Sequence, residues 1–399
     1  MHKNKKTFSE NRNPEVRNRI VLLTAVVFLL LLPAAPALQE MDYALTNPHL
    51  TVKMDPVESA DQETLSAEVL GTQDLMEAEN WTEEAAPQGW PRTFTITVAG
   101  DTTLGSTDDL RKRDDCFEKV AEANGYAWFF SGLTPLFGTD DLTLVNFEGT
   151  LTEETSKKQK KYNFKGPAEY TQILTSGSIE AVNIANNHTL DYGEQGRTDT
   201  ITNLEAAGII VSGNGQLGIY EKNGIKVGMT GYCFPYTNGK KDITADVKAL
   251  RAAGCLIVIA SFHWGSEYRD DFTAEQRTIG RAAIRAGADI VVGHHPHIVQ
   301  GIEAYQDHYI LYSLGNLVFG GNVDPDDRDS YAARLTFTVY EYHTDTPVLS
   351  IVPLRLTAMT KGTDYRPVLA EGEAADKIVS RILKRSSEMK NFVNASFEP

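Results

Sequence analysis

The chain has 399 residues, enough for one large domain or two with ample core. Lys and Arg total 38 against 54 Asp and Glu, a net charge of −16 at pH 7. That balance argues against nucleic acid as a partner, because a phosphate backbone demands a basic face. The three cysteines, Cys116, Cys233 and Cys255, form no close pair and no C-x-x-C, which argues against a disulfide framework and against thiolate-bound zinc.

At the N-terminus, Lys3, Lys5, Lys6, Arg12, Arg17 and Arg19 precede an uncharged run from Ile20 to Leu32, extended by Pro33 to Leu38. A helix over Ile20 to Leu38 would reach roughly 28 Å at about 1.5 Å per residue, just enough for a bilayer core. The basic residues keep the leading end cytoplasmic, so the bulk of the chain is expected on the extracytoplasmic face of the cell membrane. Residues 1–38 therefore read as a cytoplasmic leader with either a single signal anchor or a signal peptide cleaved near Ala35-Pro36-Ala37. The long basic leader favours the anchor; cleavage would release a secreted protein. Residues 39–92 carry Asp55, Glu58, Asp61, Glu63, Glu68, Asp74, Glu77, Glu79, Glu83 and Glu84, opposed by only Lys53 and Arg92. So few apolar residues cannot offset the entropy of ordering, and the segment reads as an acidic, disordered linker.

From Thr93 the pattern changes. Alternating Thr93-Phe-Thr-Ile-Thr-Val-Ala-Gly100 predicts a strand, and 141–146, 181–185, 225–231, 255–261 and 289–293 follow. Helical periodicity lies between them, over 112–124, 168–176, 194–207, 243–253 and 273–286. Alternating strands and helices indicate a layered α/β domain. Residues 298–305, 308–314, 331–340 and 348–355 read as a β-rich region forming a second sheet packed on the first. An amphipathic helix is expected over 374–391. The domain is assigned to 93–360, with a C-terminal helical extension over 361–399.

Polar residues recur where these strands end. Asp101 follows the first strand and Glu148 the second; Asn187-His188, with Asp191 nearby, follow the third. His263 follows a fourth, and Gly293-His294-His295-Pro296-His297 closes a fifth. Strand-end loops of an α/β fold are where such side chains converge. Carboxylate, amide and imidazole donors together suit one or two divalent ions of the Mn, Fe or Zn type. His294 reads as a neighbour rather than a ligand, and Asn316 as a turn residue near the site. Lys157, Lys158, Lys160, Lys161 and Lys165 follow Glu148, and in so acidic a chain they form a candidate substrate-binding cluster for a polyanion.

Taken in order, Gly-Asp101-Thr-Thr-Leu-Gly, Asn-Phe-Glu148-Gly, Ala-Asn-Asn187-His188-Thr-Leu-Asp191-Tyr-Gly, His263-Trp-Gly, Gly-His-His295-Pro-His297 and Tyr312-Ser-Leu-Gly-Asn316 resemble the CapA family of capsule and poly-γ-glutamate biosynthesis proteins. The resemblance covers about residues 93 to 355. That family is related to the calcineurin-like metallophosphoesterases, which implies a four-layer α-β-β-α sandwich. The resemblance implies Asp101 and His297 as ligands of a first metal, Glu148 as a bridging carboxylate, and Asn187, His263 and His295 as ligands of a second. It implies His188 as the catalytic imidazole, with Asp191 orienting it. Two departures stand out: Thr103 occupies the position of the usual Asp-x-His histidine, and Asn146-Phe147-Glu148 replaces Gly-Asp. The implied role is a membrane-tethered protein of poly-γ-glutamate or capsule synthesis or export with a metallohydrolase-like site. Its partners would be the anionic polymer, membrane synthase subunits and, through the N-terminal segment, the membrane. A non-catalytic polymer-binding subunit and a secreted metal-dependent phosphoesterase are the alternatives.

Overall fold

The computed structural model describes residues 50–52, 89–235 and 242–386, all within one compact unit, Asn47–Pro399. The leader expected over 1–38 lies outside the described residues. Among those described, no helix is long and apolar enough to cross a membrane. The expected acidic linker is described only at Leu50–Val52, which forms a strand parallel to Leu217–Lys222, and from Gly89 onward.

Two large sheets carry the fold. The first runs in the order Leu50–Val52, Leu217–Lys222, Ile225–Cys233, Ile257–His263, Ile290–His294, His308–Leu311, Ile302–Tyr305. The second runs Val368–Leu369, Val348–Arg355, Asp329–Val339, Arg92–Thr103, Leu142–Phe147, Ala181–Asn183, Ile210–Ser212, with Asn316–Phe319 also paired to Arg92–Thr103. The expected α/β class is borne out. The late β-rich region departs from expectation, because it does not form a sheet of its own. Its strands are shared out: His308–Leu311 joins Ile290–His294, while Asp329–Val339 joins Arg92–Thr103 antiparallel.

Both faces of the central strands are buried, so their apolar residues divide by parity. Phe94, Ile96 and Val98 share one cluster with Ile257, Ile259, Ile290 and Val292, so residues of both sheets build a common core. On the alternate parity, Val145 and Phe147 meet Phe117, Leu133, Leu174 and Leu204 from the helical segments Phe117–Asn124, Thr171–Ser176 and Gly193–Ala206 and their connections. Val258, Ala260 and Phe262 meet Val247 and Leu250 of Asp242–Ala252 and Ile279 and Ala283 of Ala274–Arg285. This last helix opens with a capping box, Thr273 and Gln276 each bonding the other's backbone. The tail helix forms over Gly372–Arg385 and buries Ile378 and Ile382 in the core shared by the sheets.

Within each sheet the site-bearing strands are parallel: Arg92–Thr103, Leu142–Phe147 and Ala181–Asn183 in one, Ile225–Cys233, Ile257–His263 and Ile290–His294 in the other. Their carboxyl ends, and the loops that follow, carry the polar residues singled out above.

Candidate metal centre

Asp101 lies inside its strand rather than after it, since pairing continues to Thr103. The register to Leu142–Phe147 shifts between Val98 and Asp101, an irregularity of the kind that re-aims a side chain. Gly100 permits this: a Cβ there would overlap the Gly315 carbonyl, whose oxygen accepts from the Asp101 N–H at 3.0 Å. Fully buried Asp101 then collects donors. Asn146 Nδ2 reaches Oδ1 at 2.8 Å and the His295 N–H reaches Oδ2 at 3.2 Å. His294 Nδ1 stands 3.4 Å and His297 Nδ1 3.3 Å from the same carboxylate. Burial pushes the Asp101 carboxyl up, but hydrogen bonds and charge from His294 and His297 outweigh it and hold it well below the usual range.

Glu148 has the opposite environment. It follows Leu142–Phe147, is fully buried, and neither carboxylate oxygen has a hydrogen-bond partner among the described residues. Burial and the neighbouring Asp101 charge raise its carboxyl to about 8. His263 closes its strand 1 % exposed; its Nε2 is 3.7 Å from Glu148 Oε1, and neither ring nitrogen has a hydrogen-bond partner among the described residues. Burial and nearby His295 hold its imidazole well below the ordinary value, in the neutral, metal-ligating form. Ligand atoms of Asp101, Glu148 and His263 lie within 4.8 Å of one another. Burying an unpaired carboxylate costs several kcal/mol. A divalent cation satisfies these orphaned oxygens and nitrogens, so the residues present fit one.

The remaining expected residues surround this trio. His263 and His295 rings are 4.5 Å apart, and Asn187 Oδ1 is buried without a partner among the described residues. His297 donates Nδ1–H to Asn316 Oδ1 at 2.9 Å, so Asn316, expected only as a turn residue, fixes the orientation of the His297 ring. Burial lowers His297, but Glu148 and Asp101 raise it further, to about 9. His188 Nδ1 donates to Asp191 Oδ2 at 2.8 Å, and its Nε2 points to Glu148 Oε1 at 3.8 Å. Burial holds His188 below its ordinary value against the pull of Asp191. The grouping differs from the one the resemblance implies: His263 falls with Asp101 and Glu148, while His295 and His297 fall with Glu267.

Of the five lysines, only Lys160 reaches the site. Its Nζ pairs with Asp191 Oδ1 at 2.5 Å, donates to the Asn187 carbonyl at 3.0 Å and lies 3.2 Å from His188 Nδ1. Lys157 pairs with Asp108, Lys161 lies over the Tyr162 ring, and Lys165 donates to the Glu154 carbonyl. Lys158 contributes its backbone, its N–H donating to the Asp191 carbonyl at 2.8 Å and its carbonyl accepting from the Lys160 N–H at 3.0 Å. Sequence reasoning also missed Asn183, whose Nδ2 donates to Asn146 Oδ1 at 2.8 Å and so props the donor to Asp101. Cys233 and Cys255 are free and buried; burial pushes each thiol up to about 12, in Cys233 with help from Glu148, so neither supplies a thiolate.

The profile of the bacterial capsule synthesis protein family PGA_cap matches residues 95–321, more than half of the chain. The chain belongs to that family. It is 33% identical over 226 residues to the PGA biosynthesis protein CapA of Bacillus subtilis, covering 51% of this chain and 59% of that protein. It is 26% identical over 294 residues to the capsule biosynthesis protein CapA of Bacillus anthracis, covering 66% of this chain and 67% of that one. A probable polyglutamine synthesis accessory protein of Mycobacterium tuberculosis is 27% identical over 254 residues, 55% of this chain and 67% of the relative. The first of these relatives is thus matched over less than two thirds of its length. The match supports the CapA resemblance carried by the strand-end motifs.

Proposed function

We propose that this PGA_cap protein acts in the synthesis or export of poly-γ-glutamate or a related anionic capsule polymer, with a divalent cation in a hydrolase-like site. The carrying observation is the convergence of buried, unpartnered donors: both oxygens of Glu148, both nitrogens of His263 and Asn187 Oδ1. Two sheets sharing one core cluster, each with a separate helix-lined cluster, support the four-layer α-β-β-α reading of the metallophosphoesterase type.

Asp101, Glu148 and His263 would hold the cation, of the Mn, Fe or Zn type, with Asn187 and His295 alongside. When bound, such an ion polarises a scissile phosphoester or amide and activates water. The chain's own residues do the rest. Asp191 fixes the Nδ1–H tautomer of His188, leaving Nε2 on the Glu148 side as the atom that takes or delivers a proton. Lys160, 31% exposed at its side chain, presents a cation to an approaching carboxylate or phosphate. The basic leader and apolar run of residues 1–38 support tethering at the extracytoplasmic face of the membrane, near synthase subunits.

The test is metal content by mass spectrometry on the full chain beside His263→Ala, followed by assay against γ-glutamyl and phosphoester substrates. Stoichiometric metal lost in the variant, with turnover that follows the metal, supports the reading. A metal-free parent that resists reconstitution with Mn, Fe and Zn sinks it. The surface lysines Lys157 and Lys161 favour a second reading, a polymer-binding subunit without turnover; metal and polymer binding with no hydrolysis would select it.

A further inference from the structure

Exposed apolar side chains collect on the loops around the site. Among the described residues seven large ones are exposed, and three of them, Tyr162, Leu190 and Tyr268, lie on segments that carry site residues. Single exposed apolar residues are ordinary, whereas a group beside a polar site marks a binding surface. Tyr162 stands at the apex of a turn moored at both ends to Asp191. Lys160 Nζ pairs with Asp191 Oδ1 at 2.5 Å, and the Phe164 N–H donates to Asp191 Oδ2 at 2.7 Å. Asn163 Nδ2 closes the turn on the Lys160 carbonyl at 3.1 Å. Tyr268 comes from the other sheet, in the connection after Ile257–His263. Its N–H donates to the Pro296 carbonyl at 2.8 Å, and its ring lies 6.2 Å from that of His297. Its φ of 56° is in the left-handed region, which a bulky residue adopts only where the surroundings enforce it. A row of rings joins the two sides: Phe164 lies 4.5 Å from His188 and 5.9 Å from Phe319, which lies 5.1 Å from His297. Partial burial raises the Tyr268 phenol, and the charges of Glu267, Tyr162, Asp326 and Glu148 raise it further, so both phenols and Glu148 border one space.

We propose that Tyr162 and Tyr268 are the two jaws of a clamp that seats one stretch of an extended γ-linked glutamate chain across the site, with the chain's carboxylates turned to the Tyr162 side. The clamp rests on the reading of the site as one for an anionic polymer, and adds to it the residues that select a chain over a single anion. Charge sets the orientation. Lys157, Lys158, Lys160, Lys161 and Lys165 surround Tyr162 in sequence, and Lys161 Nζ lies 4.7 Å over its ring, whereas Glu267, Asp270 and Asp271 flank Tyr268. A polyanion therefore meets attraction on one wall and repulsion on the other. A γ-linked glutamate unit has a carboxylate on one edge, with two methylenes and a planar amide along its length. The carboxylate pairs with a lysine as a charge-assisted contact, and the methylenes and amide are left for the phenol rings. A lone inorganic phosphate meets Lys160 and gains nothing from the rings.

The experiment uses the full chain with Mn²⁺ and a synthetic γ-linked glutamate decamer, taking Kd from calorimetric titration at low and high salt and following the decamer's methylene protons by NMR. The parent is expected to move those protons upfield, as packing on a ring face does. Tyr162→Ala and Tyr268→Ala should each raise Kd about tenfold and shrink the shift, while Tyr162→Phe and Tyr268→Phe stay within about twofold of the parent. Tyr342→Ala, which removes an exposed ring elsewhere, should match the parent. The loss in the Ala variants should persist at high salt, whereas that in Lys160→Met should fade. Ala variants that bind like the parent, or Phe variants as weak as the Ala ones, overturn the clamp while the polymer reading stands. A parent that binds the decamer without moving its methylene protons does the same, whatever the variants do. A parent that binds the decamer no better than inorganic phosphate, or no better than an uncharged glucan oligomer, overturns the polymer reading and the clamp with it.

Discussion

Replacing Glu148 by Gln keeps the side chain's shape and removes its charge, and in the metal-free chain this substitution is expected to raise stability. Burial and Asp101 move the Glu148 carboxyl from 4.5 to about 8, a figure that already includes the attraction of His297. Its folded value lies above its unfolded one, so the folded chain holds a proton that the unfolded chain releases across that interval. Stability is therefore complete below pH 4.5 and is lost as pH rises through about 8. At pH 7 the interval is about 2.5 pH units, and the penalty is about 3 kcal/mol. Gln does not titrate and escapes it. For a domain of roughly 300 residues, with an unfolding entropy of about 0.6 kcal/mol/K, that amounts to about 5 °C. Differential scanning calorimetry of the chelator-treated full chain at pH 4, 7 and 8.5 should show a gain near zero at the lowest pH and growing upward. A cation reverses the order, because at about a thousandfold excess over Kd it stabilises the parent by about 4 kcal/mol, and the variant has lost a ligand. A Gln variant that melts lower than the parent without metal at pH 7, or a shift independent of pH, would refute the account of Glu148 as a carboxylate awaiting a cation.

Three further outcomes follow from the same geometry. Asn316→Ala removes the acceptor for His297 Nδ1 and should weaken Mn²⁺ binding about 10- to 100-fold in calorimetric titration, since outer partners orient metal ligands. Lys160→Met should raise KM for an anionic substrate, or Kd for poly-γ-glutamate, about tenfold at low salt, whereas Lys157→Met should not; equal effects would reduce Lys160 to general surface charge. At the other end of the same strands, burial raises Asp140 to about 6 and Glu180 to about 7. Their contribution is present below the ordinary carboxylate values and lost as pH rises through 6 and 7, so Asp140→Asn and Glu180→Gln should raise Tm at pH 8, leave it unchanged at pH 4, and leave Mn²⁺ stoichiometry alone.

Asp101, Glu148, Asn187, His263, His295 and His297 were legible because each sits beside an apolar run that ends abruptly, and strand ends of parallel sheets converge. Glu267 was not legible. It lies in Gly-Ser-Glu-Tyr-Arg-Asp-Asp, a polar stretch that reads as a solvated turn, and only the Tyr268–Pro296 bond brings it to the histidines. Lys160 could not be told from its neighbours, because composition does not reveal which lysine of a loop turns inward. That choice is made by a distant bond, the Lys158 N–H on the Asp191 carbonyl. The early strands and helices were visible as local periodicity, but the late strands misled. Asp329–Val339 pairs with Arg92–Thr103 across most of the domain, and no local pattern encodes a partner that far away. The tail helix, by contrast, was legible from its apolar spacing, with Ile378 and Ile382 on the face that the structure buries.

The contact between the sheets reaches the site through a line of amides. Gly231, in the strand Ile225–Cys233 of one sheet, faces Asn183 of the other, and a Cβ at 231 would overlap Asn183 Oδ1. Asn183 Nδ2 donates to Asn146 Oδ1 at 2.8 Å, and Asn146 Nδ2 donates to Asp101 Oδ1 at 2.8 Å. Gly231→Ala therefore displaces Asn183, loosens Asn146 and takes a donor from Asp101. Overpacking of this kind costs about 1–3 kcal/mol, and a disturbed outer partner about tenfold or more in metal affinity. Gly228, three residues earlier, supplies the control. A Cβ there meets Leu250 side-chain atoms at 2.9 Å and Cys255 Sγ at 3.0 Å, in the helix-lined cluster rather than the amide line. Gly228→Ala should thus lower Tm comparably yet bind Mn²⁺ like the parent, while Gly231→Ala lowers both. If the two variants lose affinity alike, strain spreads through the domain without direction. If Gly231→Ala keeps full affinity, the amides prop the fold and Asp101 holds its position through the histidines alone.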